Sequence, residues 1–172
     1  MTAREKYYLD VQTRFSSGNK KTILTTLHEI RQKGHANILP LVVSLLNKHQ
    51  HDEVREEVIS ILGQLKDKEA VPFIIEQIKS SGTDTFKSEL IMTCWQSGLD
   101  YSEHIDVFTQ SFIDGDFQTA IEAFSVIDEW IDQAGSEKIK QCKELLAENL
   151  PKVSPEKKAF YLELIKLIES FL

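Results

Sequence analysis

The stretch from Asp52 to Lys79 reads DEVREEVISILGQLKDKEAVPFIIEQIK, and most of the remaining chain repeats its pattern. Val54, Val58 and Ile61 fall at i, i+4, i+7, and Val71, Ile74 and Ile78 fall at i, i+3, i+7. Each set lies on one face of a 3.6-residue period, so the spacing predicts two amphipathic helices joined by the polar turn Lys66-Asp67-Lys68. Asp52 is the predicted N-cap of the first helix. Pro72 lies in the first turn of the second, where a missing N–H costs least. The first triplet recurs as Ile23/Leu27/Ile30, Phe86/Leu90/Thr93 and Phe117/Ile121/Phe124. The second recurs as Leu39/Val42/Leu46, Ile105/Phe108/Phe112 and Ile139/Cys142/Leu146, and successive copies start 31 to 34 residues apart. Pro40 matches Pro72. Glu69, Glu103 and Glu137 open the second helices, where a carboxylate suits the positive end of the dipole. Ser102 and Ser136 are read as N-caps before two of them.

Two helices per unit, repeated in register, predict an all-α fold: an α–α superhelix, or solenoid, of about four two-helix repeats with terminal capping helices. The single domain spans 1–172, with a cap at 1–17, repeats at about 19–49, 52–80, 84–114 and 116–150, and a C-terminal cap helix at 154–172. Tyr7, Tyr8, Val11 and Phe15 form the helical stripe of the first cap. Apolar residues cover most of the circumference of 39–46, so that helix should be flanked on both sides. Gly34 is read as a C′ glycine. Ser16-Ser17-Gly18-Asn19, Ser80-Ser81-Gly82-Thr83 and Asp114-Gly115-Asp116 punctuate the repeats. The two triplets start 16 residues apart in the first repeat, then 17, 19 and 22, so the later units drift from the ideal. Ser154-Pro155-Glu156 is a helix start, and Phe160, Leu164, Ile168 and Phe171 are the expected inner stripe of the last helix.

The central unit resembles a HEAT-type repeat of the short bacterial kind. The resemblance is carried by Val54-Arg55, by Leu62-Gly63-x-Leu65 and by Ala70-Val71-Pro72. Later units keep the periodicity only: Thr93 replaces an apolar residue, Trp95 stands where Gly63 stood, and Asp106 and Lys140 replace the proline. The Trp, Leu-Gly and Tyr signature of a tetratricopeptide array is absent. The resemblance implies an armadillo-like scaffold whose second helices line a concave, partner-binding side.

Charge is the main functional signal. Residues 84–136 hold 11 acids and one base, Lys87, while 1–83 hold 10 acids and 12 bases and 137–172 hold 6 and 7. In a solenoid a charged segment becomes a charged band, which would steer a basic partner. A solvated face is the plainer alternative. Nucleic-acid binding is disfavoured, because it needs clustered Lys or Arg. No signal peptide and no run of about 20 apolar residues is present, which predicts a cytoplasmic chain off the membrane. Cys94 and Cys142 sit inside helical patterns and read as small buried side chains of a reducing compartment.

The protein-binding residues expected from the second-helix side are Glu76, Glu103, Asp106, Gln110 and Asp114, with Lys143 also facing out. No metal, cofactor or catalytic set is expected. His49-Gln50-His51 has no second ligand pair. Asp114-x-Asp116 lacks the glycine and glutamate of a calcium loop. Asp128-Glu129 has no nucleophile beside it. Trp95, replacing a glycine, is expected to widen the gap between repeats, and Trp130 is read as core rather than interface anchor. The sequence thus predicts a non-catalytic protein-interaction module or scaffold. The alternatives are an accessory subunit of an enzyme, of the kind formed by HEAT-like phycobilin lyase subunits, and a structural homo-oligomer. A helical-repeat DNA glycosylase would need a basic channel where this chain is acidic. The partner and the oligomeric state are not encoded in any recognisable motif.

Overall fold

The computed structural model describes residues 1–33, 36–46, 51–81 and 85–172, the side chains of Lys33, Ala36 and Thr85 excepted. Gly34, His49, Gly82 and Thr83, singled out in the sequence, lie outside the described residues. The described residues form ten α-helices and four short 3-10 turns, with no strand among them. Helix α1 (Ala3–Ser16) is followed by α2 (Lys20–Lys33), α3 (Leu39–Ser44), α4 (Asp52–Leu62), α5 (Ala70–Ser80) and α6 (Thr85–Ser97). Then come α7 (Ile105–Asp114), α8 (Phe117–Trp130), α9 (Ser136–Asn149) and α10 (Pro155–Glu169).

The helices stack in two layers. In one, α2 packs on α4, α4 on α6 and α6 on α8; in the other, α5 packs on α7 and α7 on α9. Helix α1 closes the start against α2 and α3, and α10 covers the end against α8 and α9. This is the all-α solenoid that the recurrence predicts. The apolar stripes form one continuous core between the layers. It contains Leu27, Val58 and Leu90 from the first layer and Ile78, Phe108 and Leu146 from the second, all fully buried. Each such side chain contributes roughly 1.5–3 kcal/mol of transfer free energy. Cross-links run at the turns as well: Lys66 Nζ donates to the Ser97 carbonyl at 2.8 Å, tying one unit to the next.

Helix starts lie within a residue or so of the expected positions. Thr2 and Glu5 form a capping box at α1, satisfying two otherwise orphaned backbone donors. Helix α4 is N-capped by His51, with Asp52 its first residue. Tyr101 and Gly135, not Ser102 and Ser136, occupy the N-cap positions of the 3-10 turn and of α9. Asp116 caps α8, accepting from the Thr119 N–H at 2.8 Å. Helix α6 runs past the site equivalent to Gly63 and ends before Gly98, whose φ of +65° is the left-handed conformation glycine tolerates.

Two stripes differ from expectation. Phe117 and Ile121 are exposed and Phe124 is half-buried, while Thr119, Ala123 and Val126 are fully buried. The inner face of α8 is therefore rotated two residues from the bulky triplet. Small residues fill the seams where α8 meets α6 and α7, and the large ones turn toward α10. In α10 the inner stripe is Tyr161, Leu164 and Ile168; Phe160 is half-buried and Phe171 is exposed. Tyr161 reaches across with its hydroxyl, donating to the Leu146 carbonyl at 3.0 Å, which places a polar group in the core with its partner supplied.

Candidate protein-interaction surfaces

The second-helix side brings four of the five expected residues onto one short stretch. Glu103 sits in the 3-10 turn Ser102–His104 that leads into α7. Asp106, Gln110 and Asp114 follow at i, i+4, i+8, one ridge of that helix. Gln110 Nε2 donates to Asp114 Oδ2 at 2.6 Å. Asp106 is ion-paired with Lys138 of α9 at 3.2 Å, which neutralises part of the band in advance. Glu103 is exposed, and beside it the half-buried His104 imidazole is held below its usual range, chiefly by desolvation. Glu76 is exposed on α5, which packs against α7, and no side-chain hydrogen bond or ion pair joins it to the other four among the described residues. Lys143 pairs with Glu169 of α10 at 3.0 Å.

The first-helix side carries features that the periodicity does not reveal. Trp95 does not wedge α6 from α8. It lies outside their seam, 40% exposed, and its Nε1 donates to Glu122 Oε2 at 2.9 Å. Glu122 is only 7% exposed and also accepts from Gln118 Nε2 at 2.6 Å. The carboxylate therefore stays in place by hydrogen bonding, without a neighbouring cation among the described residues. The sequence signal for this arrangement is slight: an acid one position from the expected stripe, with Gln118 four residues before it. Trp130 is half-buried and packs against the core.

Between α7, α8 and α10 lies a cavity of about 270 Å³ lined by Phe112, Phe160, Tyr161, Lys152 and Lys157, among others. Its volume falls just below the range of roughly 300–1,000 Å³ usual for small-molecule sites. The Phe160 ring gathers its neighbours, with centroids of Phe112 and Phe124 at 5.2 Å and Phe117 at 5.8 Å. No group of three His, Cys, Asp or Glu suited to a metal occurs among the described residues. Burial pushes the Cys94 thiol up to about 12 and also raises that of Cys142, so both remain protonated and unreactive at neutral pH. No described helix is long and apolar enough to cross a membrane.

Residues 11–94 match the family model for HEAT repeats. No curated protein and no solved structure matches the chain. The match covers the earlier helix pairs, and the same two-layer packing continues without a break through α6–α10. On the matched repeats and the shared stack, the chain is a HEAT-repeat-like α-solenoid.

Proposed function

We propose that the chain is a non-catalytic protein-interaction module that recognises a basic partner segment through its acidic later half. Repeats of this family generally mediate protein–protein interaction. The observation that carries the finer reading is the imbalance of charge on the surface. Between residues 85 and 136, seven carboxylates (those of Asp100, Glu103, Asp114, Asp116, Asp128, Glu129 and Asp132) are exposed and make no ion pair among the described residues. Clustered unpaired charge of one sign raises encounter rates and selects partners of the opposite sign. On the second-helix side, Glu76, Glu103, Asp106, Gln110 and Asp114 form the proposed contact set. A cytoplasmic setting fits the two buried thiols, which a reducing compartment keeps free.

The test is affinity capture with two baits, the native chain and one carrying Glu103→Gln, Asp106→Asn and Asp114→Asn, at low and at moderate salt. A protein retained by the native bait, released by salt and absent from the neutralised bait supports the reading, because surface attraction is screened within about 8 Å at physiological ionic strength. Identical sets on the two baits would reduce the acidic band to a solvated face.

A further inference from the structure

On the first-helix side of the later half, large apolar groups stand in the open. Trp95 of α6 is 40% exposed, and Phe117 and Ile121 of α8 are 55% and 37% exposed. Phe160 of α10, 5.8 Å from Phe117, continues the strip onto a third helix. The strip is preformed. Trp95 is pinned by its hydrogen bond to the buried Glu122, which Gln118 holds from the other side. An aromatic ring fixed before encounter loses little freedom on binding, and tryptophan is the residue most enriched among energetic anchors of interfaces. The border of the strip is acidic along α8, although at its start Lys157 of α10 lies close enough to Asp116 to offset part of that charge. Asp116 opens α8, Asp128 and Glu129 lie exposed near its end, and no Lys or Arg occurs between Lys87 and Lys138. Lys157 of α10 is held on the Gly115 carbonyl at 2.5 Å.

We propose that this strip is a docking surface for a basic amphipathic helix of a partner protein. The apolar strip selects an amphipathic segment, whose aliphatic side chains lie along Phe117 and Ile121. The acidic border selects its sign, setting Lys or Arg against Asp116, Asp128 and Glu129 and over the Trp95 ring, where a cation is attracted by the π face. An anionic lipid surface or a nucleic acid meets repulsion at the same border. The inference rests on the chain being a binding module, but it uses the layer opposite Glu103 and Asp106.

The probe is a synthetic helix of two LKKLLKL heptads carrying fluorescein, titrated with the full chain at low salt. Binding is read from anisotropy and from Trp emission, with a Leu–Glu peptide of the same pattern as control. The expected result is saturable binding of the Leu–Lys peptide only, with a blue shift as Trp95 is covered. Phe117→Ser with Ile121→Ser should weaken binding by roughly tenfold or more, about 1.4 kcal/mol. Asp128→Lys with Glu129→Lys, at exposed positions outside the core, should weaken it at least about threefold and flatten its salt dependence. Glu103→Gln with Asp106→Asn should leave it unchanged. Absence of saturable binding, or equal affinity in the strip variants, overturns the inference. Loss only in the Glu103/Asp106 variant overturns it too, while supporting the second-helix surface.

Discussion

The first-helix layer is built in one way at its start and another way toward its end. From α2 to α6, neighbouring helices are stitched by ion pairs: Lys20–Glu53 at 2.6 Å, Arg31–Glu57 at 3.0 Å, and Arg55–Glu89. From α6 to α8 the stitch is Trp95 to Glu122, with no cation in it. The stacking order is the same; the chemistry of the outer surface is not. Where Glu53, Glu57 and Glu89 face bases of the preceding repeat, the charge across the seam is paired. Where bases are missing, acids and aromatic rings remain available to another molecule. The family match covers the stitched half.

The comparison breaks most visibly if equivalent-looking positions are truncated. Leu90 is fully buried, so Leu90→Ala should cost about 2–5 kcal/mol in chemical denaturation. Ile121 occupies the corresponding place in the sequence pattern but is 37% exposed, and Ile121→Ala should cost under about 1 kcal/mol. Equal losses would restore the bulky triplet of α8 to the core. Next in size is Glu122→Ala. It removes a buried acceptor serving two donors and should cost about 2 kcal/mol, with a red shift in emission as Trp95 loosens.

That pair of residues also shows what the sequence made legible. The layered stack follows from the recurrence, because stripes at about 32-residue spacing have no other way to be buried. The rotation of α8 does not follow. A reading weighted by hydrophobicity chooses Phe117, Ile121 and Phe124, whereas a tightly packed seam selects small side chains such as Thr119, Ala120 and Ala123. The same bias selects Phe171 over Tyr161 in α10, since a tyrosine reads as half-polar until its hydroxyl finds the Leu146 carbonyl. Charge counting locates the acidic block. It does not show that Asp106 is already paired with Lys138, or that Glu122 is buried beneath a tryptophan.

Smaller effects sharpen the contrast. Arg55→Ala removes the pair with Glu89 and a bond to the Leu46 carbonyl; with both side chains largely buried it should cost about 1–2 kcal/mol. Asp116→Ala removes an N-cap and should cost about 1 kcal/mol. The Asp116 carboxyl lies below its usual range, chiefly through the Thr119 backbone N–H. A depressed pKa stabilises the fold above the unfolded value, and that contribution is lost as pH falls through the folded one. Asp116→Asn should therefore flatten the loss of stability below about pH 4. Lys20→Ala, at an exposed pair, should change stability by no more than about 0.5 kcal/mol. A loss near that of Arg55→Ala would mean that the exposed stitch is as strong as the sheltered one.

The central claim is that the stitched half supports and the acidic, aromatic half binds. Amide hydrogen exchange of the full chain, with and without the Leu–Lys helix peptide at low salt, tests it most directly. The account predicts added protection confined to α6, α8 and the Phe160 turn of α10, with α2 and α4 exchanging as in the free protein. Protection centred on α2 and α4, or spread evenly over the stack, would contradict it.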